Sequence, residues 1–319
     1  MNAETSSRSA RPRLDGDAKA RLMEEITRIE GAATTEIEAR TAKLMAQIDA
    51  EHSARAATPR PLLETPAAPV QIPHNMPPEV YSCWSRLPHL PVNAASLDQQ
   101  LVITASRTDP AHSAFDVLRT RLVQALADKG WTRVAITSPT AGCGKSFTAI
   151  NLAITLSRYD DCRTVLMDMD MRKHGLMRYL GVKNAPAIGD YLRGLSPLEN
   201  HFCRLGANAL QLGDNLAIAL NGRAESYAAE LFHQAKTGDV LDEMEEALEP
   251  EVILFDLPPA LAQDDVIAFR PHFDCVLMVV GGGITTAEEV REATRRIGED
   301  KPILGVVLNK AEIEGQYAY

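Results

Sequence analysis

Between Arg133 and Arg158 a short apolar run, a loop of small residues and a helical pattern follow one another without a break. Arg133-Val-Ala-Ile-Thr-Ser138 runs into Pro139-Thr-Ala-Gly-Cys-Gly-Lys-Ser146, and the helical pattern starts at Lys145. This order restricts the folds open to the chain. A strand that is almost continuously apolar needs cover on both faces, the setting of a parallel sheet. The loop residues Ala141, Gly142, Cys143 and Gly144 are small enough for successive backbone N–H groups to converge on phosphate oxygens. The helix N-terminus behind them adds partial positive charge. Lys145 is then expected to reach the β- and γ-phosphates of a nucleotide and Ser146 to ligate Mg²⁺. Without nucleotide, Lys145 is expected to face solvent. Cys143 reads as a small residue whose N–H matters, or as a thiol whose pKa is lowered beside Lys145.

Two acidic motifs follow. Val165-Leu-Met-Asp-Met-Asp-Met-Arg172 ends a second apolar run, and period-two alternation places Asp168 and Asp170 on the same side of the chain. Such a pair can orient Mg²⁺ and accept a proton from a hydroxyl nucleophile. Val252-Ile-Leu-Phe-Asp-Leu-Pro-Pro259 closes another apolar run on Asp256. A carboxylate there is costly to bury unless a cation answers it, which suits a role toward Mg²⁺, through water.

Further runs at Asp274–Val280 and Pro302–Leu308 also read as strands. Helical patterns at Ser113–Ala127, Lys145–Arg158, Ala228–Glu246 and Thr286–Arg296 lie between the runs. The alternation predicts an α/β fold, a doubly wound and mostly parallel sheet, over residues 96–312. Ahead of it, residues 1–56 are helical and coiled-coil-prone, with a stripe at Leu22, Ile26, Ile29, Ala33, Ile37, Leu44 and Ile48. Residues 57–95 are rich in proline and predict an extended linker, with Tyr81 and Trp84 near its end able to pin it to the folded domain. Residues 313–319 form a tyrosine-bearing tail.

Net charge of −10 argues against a broad nucleic-acid-binding face. Five cysteines with no CxxC pair argue against a disulfide framework or a zinc site and fit a reducing compartment. The apolar runs are far shorter than the ~20 residues of a membrane span, and residues 1–8 carry no signal-peptide character, so a cytoplasmic location is expected.

The three motifs together resemble the Walker A, Walker A′ and Walker B set of the bacterial tyrosine kinases (BY-kinases), P-loop NTPases of capsule and exopolysaccharide synthesis. Ala114–Arg121, Ile188–Gly194 and Ile303–Asn309 extend the resemblance. The deviant-Walker ATPases of cell division and plasmid partition carry a further loop lysine where this chain has Thr140. The resemblance implies an ATP-dependent protein-tyrosine kinase that autophosphorylates Tyr317 and Tyr319 and regulates polysaccharide polymerisation or export. It implies ATP and Mg²⁺ as cofactors, with Ala141–Phe147, Arg172 and Asn309 contacting the nucleotide. Lys145, Asp168 and Asp170 would be catalytic, Asp168 being the base, and Ser146, Asp170 and Asp256 would hold the metal. It also implies self-association and recruitment to the inner face of the plasma membrane by a membrane-embedded chain-length co-polymerase adaptor. Three departures stand against it. The family's Glu-x-x-Arg-x-x-Arg motif, which helps build a kinase ring, is Ser113, Asp116 and Arg119 here. Its loop Pro-Gly-Glu is Ala141-Gly142-Cys143, and its tyrosine cluster is reduced to two. A regulatory ATPase or nucleotide switch of the same machinery is the alternative.

Overall fold

The computed structural model describes residues 78–90, 97, 99–105, 111–159, 161–173, 175–205 and 215–311. The striped segment 1–56, most of the proline-rich stretch, and Tyr317 and Tyr319 lie outside the described residues. Seven strands form one sheet in the order β3-β4-β2-β5-β1-β6-β7. They are β1 (Arg133–Thr137), β2 (Thr164–Asp168), β3 (Phe202–Arg204), β4 (Leu216–Ala219), β5 (Val252–Asp256), β6 (Cys275–Gly281) and β7 (Ile303–Asn309). All pairings are parallel except that of β3 with β4 at one edge. The doubly wound, mostly parallel sheet expected from the sequence is therefore present.

The strand order explains why three motifs distant in sequence meet. β2, β5 and β1 are consecutive in the sheet, so the loops leaving their C-terminal ends are neighbours. That end is where parallel α/β sheets place their ligands. The register goes further: Asp168 at the end of β2 stands directly opposite Asp256 at the end of β5, which itself pairs with Ile136 of β1. The central strands are fully buried, β2 and β5 at every position, and apolar layers lie on both sides of the sheet.

The proline-rich stretch departs from expectation at its end. Pro78–Arg86 is a helix (α1), not extended linker. Its first residue is a proline, which the first helical turn tolerates because the N–H there has no intrahelical partner. Val80, Cys83, Trp84 and Leu87 are buried, and the Trp84 indole N–H donates to the Leu248 carbonyl at 2.8 Å. Beyond the helix, Leu90 N–H donates to Arg204 O and Arg204 N–H to Pro88 O, so residues 88–90 continue the sheet beside β3. Trp84 thus serves as the anchor its position suggests.

The helices that position the site are α2 (His112–Lys129), α3 (Lys145–Leu156) and α4 (Gly175–Leu180). Further along come α5 (Ile188–Leu192), α6 (Ala228–Phe232), α7 (Ala235–Leu248), α8 (Asp265–Ala268) and α9 (Ala287–Ile297). The helix expected over Ala228–Glu246 is broken between α6 and α7. Leu231 O accepts the Thr237 hydroxyl at 2.7 Å and Phe232 O lies 2.9 Å from the His272 ring, so side chains take the carbonyls at the break. Among the described residues no helix is long and apolar enough to cross a membrane.

Candidate functional site

The loop between β1 and α3 turns on two left-handed glycines, Gly142 at φ 87° and Gly144 at φ 95°. A Cβ on Gly144 would stand 2.0 Å from the Asn309 amide nitrogen. Asn309, at the end of β7, uses that amide to donate to Cys143 O at 2.9 Å and so fastens the loop. The Cys143 thiol is fully buried, donating to Thr140 O at 3.2 Å and lying 3.3 Å from the Thr285 hydroxyl. This packing agrees with the small-residue reading of Cys143.

Lys145 does not face solvent. Its ammonium lies 2.9 Å from Asp170 and 3.5 Å from Asp256, and its side chain is 13% exposed. Two nearby carboxylates attract it more strongly than the water it would otherwise meet. Burial alone would depress its pKa, but Asp256 and Asp170 outweigh that and hold it above the usual lysine range.

The carboxylates are arranged unequally. Asp170 is neutralised: one oxygen takes Lys145, and the other accepts backbone N–H groups of Arg172 and Lys173 at 3.3 and 3.1 Å. Asp256 is fully buried with its Oδ2 unpartnered. Burial raises its pKa, with Lys145 and the Ser146 hydroxyl acting in the opposite direction. Asp168 is also fully buried. One oxygen accepts only a long 3.4 Å bond from Leu176 N–H, and the other has no partner. Burial, then the Asp256 charge, push Asp168 well above the usual carboxylate range.

Two buried carboxylate oxygens without donors, beside a serine hydroxyl at a helix start, fit a divalent cation. Gly175 lies close to the same serine, since a Cβ there would stand 2.7 Å from Ser146 Oγ. Among the described residues no three His, Cys, Asp or Glu side chains converge to hold a metal unaided. Mg²⁺ does not require that, because it takes one or two carboxylates and completes its shell with water and phosphate oxygens.

A cavity of about 660 Å³ opens over Lys145, Ser146 and Asp170, with Asp168 and Asp256 buried behind them and not on its wall. Of the residues expected to contact the nucleotide, Ala141, Gly142, Gly144, Lys145, Ser146, Phe147 and Asn309 line the cavity together with Asp170, and Cys143 does not. Phe147 stacks edge-on against Phe115, with centroids 5.9 Å apart, and lies 6.4 Å from the Tyr179 ring. With Leu101, also on the wall, these rings make one side of the cavity apolar, a surface that suits a flat heterocycle. Leu101, Lys173, Gly175, Arg178, Tyr179 and Lys310 on the wall are not singled out by the sequence, and Pro259 there closes the third motif. Lys173 and Lys310 directly follow residues that were singled out, which was their only signal.

Arg172 is not among the residues lining the cavity. It forms a two-point pair with the buried Asp265, Nε to Oδ2 at 2.9 Å and Nη2 to Oδ1 at 3.1 Å. It therefore ties the loop after β2 to helix α8. Arg119, retained from the ring motif, is also turned inward: it pairs with Asp116 at 2.8 Å and lies over the Tyr159 ring at 4.1 Å.

The sequence matches the CobQ/CobB/MinD/ParA nucleotide binding domain over residues 134–318. It is 28% identical over 211 residues to the tyrosine-protein kinase wzc of Salmonella typhi, a stretch covering 66% of this chain and 28% of that protein. It is 26% identical to the tyrosine-protein kinase YwqD of Bacillus subtilis, covering 71% of this chain and 94% of YwqD. The chain thus spans little more than a quarter of several curated relatives it matches, but nearly all of YwqD. Among solved structures, the VpsO kinase domain superimposes with a TM-score of 0.53 at 27% identity, covering 62% of this chain and 95% of that domain. The resemblance read from the motifs is borne out.

Proposed function

The chain belongs to the CobQ/CobB/MinD/ParA nucleotide-binding domain family, and we propose that it uses Mg-ATP to phosphorylate tyrosine. The observation that carries this reading is the register of Asp168 against Asp256. It puts two buried carboxylates of different standing at one phosphate-binding loop. Asp256 Oδ2 and Ser146, with the Asp170 oxygen that Lys145 gives up on moving to the phosphates, would hold the metal. Asp168 has neither a lysine nor a strong donor, and burial beside the Asp256 charge raises its affinity for a proton, which suits a general base.

Mg²⁺, when bound, neutralises charge on the β- and γ-phosphates. The chain's own residues do the rest. The loop N–H groups orient the phosphates, and Lys145 leaves Asp170 and Asp256 for the β- and γ-oxygens. Phe147, Tyr179 and Leu101 pack against the base, and Asn309 keeps the loop in shape. Asp168 accepts the phenol proton as the tyrosine oxygen attacks the γ-phosphorus, the bond from that phosphorus to the β,γ-bridging oxygen breaks, and ADP leaves with the electron pair. Arg172, paired with Asp265, acts as a positioning residue for the loop carrying Asp170.

The acceptors in this reading are Tyr317 and Tyr319. β7 ends on the face that carries the loop, and the eleven residues 309–319 extend at most roughly 35–40 Å, enough to reach the site of a neighbouring copy. The resemblance to BY-kinases supplies the wider role: control of exopolysaccharide polymerisation or export, with residues 1–56 as the contact to a membrane-embedded adaptor. Arg119 favours a second reading, a regulatory ATPase. The arginine that survives from the ring motif is folded onto its own chain.

Purified chain incubated with Mg-ATP and mapped by mass spectrometry separates the two. Phosphotyrosine that falls by most of its amount in the Tyr317→Phe/Tyr319→Phe variant supports the kinase and its acceptors. ADP release without phosphotyrosine supports the regulatory ATPase. Undiminished labelling in the double variant moves the acceptor to another tyrosine.

A further inference from the structure

The rim of the nucleotide cavity carries three cations that none of the roles above uses. Lys173 follows the first acidic motif, Arg178 lies on α4 and Lys310 follows β7, and all three line the cavity. None faces a carboxylate: Arg178 lies over the Tyr179 ring at 5.0 Å, and Lys173 and Lys310 have no ion pair among the described residues. Several cations elsewhere are matched. Arg133, Arg163, Arg223, Lys236 and Arg270 each face an aspartate or glutamate. The chain has 43 acidic and 33 basic residues, so a rim of unmatched positive charge runs against its composition.

The triphosphate does not account for the rim. Mg²⁺, Lys145, the loop N–H groups and the α3 N-terminus already answer its charge. A second ligand meets a different problem. Asp170 lines the site, and Asp168 and Asp256 lie buried beneath it, with one lysine among the three. A peptide bearing carboxylates is repelled by that floor unless cations at the entrance offset it. The segment after β7 is such a peptide: Glu312-Ile-Glu-Gly-Gln-Tyr-Ala-Tyr319 carries two glutamates ahead of its tyrosines and no basic residue.

We propose that Lys173, Arg178 and Lys310 form a docking rim that selects tyrosine peptides with carboxylates on the N-terminal side of the acceptor, the occupant being residues 312–319 of a second copy. The inference rests on the tyrosine-kinase reading for its biological meaning, but the docking itself needs no phosphoryl transfer. Each exposed cation–carboxylate contact contributes modestly, so the discrimination expected is about three- to tenfold, shrinking with added salt.

The test uses the full chain with Mg-ADP and a fluorescent peptide of sequence Glu312–Tyr319, read by anisotropy. A second peptide carries Glu312→Gln and Glu314→Gln. Wild-type protein should bind the glutamate peptide about three- to tenfold more tightly than the glutamine peptide. Lys173→Ala/Arg178→Ala should remove that preference, and Lys173→Glu should reverse it. Equal binding of the two peptides by wild-type protein overturns the proposal, with no dependence on how any variant folds. So does a double variant that loses Mg-ADP affinity while keeping the peptide preference, since the cations then serve the phosphates. Peptide preference without phosphotyrosine under Mg-ATP refutes the kinase reading and leaves the docking rim standing. Phosphorylation of both peptides with equal KM refutes the rim alone.

Discussion

Replacing Lys145 with methionine in the nucleotide-free protein removes the only cation among the described residues whose side chain pairs with a buried group of three carboxylates. In the structure its ammonium lies 2.9 Å from Asp170 and 3.5 Å from Asp256, whose side chains are 3% and 0% exposed. Breaking a buried pair by removing one partner typically costs about 3–5 kcal/mol. Lys145 is itself 13% exposed and Asp170 keeps two backbone N–H donors, so the lower end, about 3 kcal/mol at pH 8, is expected here. The loss depends on pH. Asp168 and Asp256 already sit above their ordinary value near 3.8. Without the lysine they rise further, and the folded chain holds protons that the unfolded chain releases. Stability of the variant therefore falls as pH rises through the raised folded pKa values, and recovers as pH falls through them toward the unfolded value. The deficit against wild type should be largest at pH 8 and smaller at pH 5.5. Urea unfolding at both pH values, with equal m, measures it. Added Mg²⁺ should restore part of the deficit by binding only the folded carboxylates. A variant as stable as wild type at pH 8, with no response to pH, would refute the buried charge cluster as described.

Other consequences follow from particular contacts. Asp168→Asn should lower phosphotyrosine formation by about 10²–10⁴-fold while leaving Mg-nucleotide affinity nearly unchanged, because a base acts on the acceptor and not on bound ATP. Normal transfer in a single-turnover assay would assign the base elsewhere. Gly144→Ala should weaken nucleotide binding at least tenfold by calorimetry, since φ 95° is strained for alanine and the new Cβ meets Asn309 at 2.0 Å. Wild-type affinity would show that the loop has room the structure does not display. Trp84→Ala should cost about 3–5 kcal/mol in urea unfolding, through a large cavity and an unanswered Leu248 carbonyl. A cost below about 1 kcal/mol would mean that α1 is not part of the folded domain.

What the sequence disclosed follows from how strongly burial writes itself into residue choice. β1, β2, β5, β6 and β7 were all visible because a strand covered on both faces must be apolar throughout, as in Val252-Ile-Leu-Phe-Asp256. β3 and β4 were not: three and four residues long, they are too short to separate from loop by period or length. The phosphate loop was legible because its chemistry demands small residues at fixed places. Orientation was less so. Lys145 turned inward because Asp256 lies in register with Asp168, and strand register is not written in either motif alone. Arg172 looked like a ligand by position, yet pairs with Asp265, 93 residues away on α8. The helix Pro78–Arg86 was masked by the prolines around it. Its apolar positions Val80, Cys83 and Trp84, with Leu87 just beyond its end, have helical spacing, but the surrounding composition argues for extended chain.

The central claim concerns where the γ-phosphate goes. Incubating the purified full chain with Mg-ATP labelled on the γ-phosphate and separating the products divides the label between protein phosphotyrosine and free phosphate. The account predicts that phosphotyrosine appears on the protein, requires Mg²⁺, and disappears in Asp168→Asn while nucleotide still binds. Label released wholly as free phosphate by a protein that binds Mg-ATP normally would contradict it.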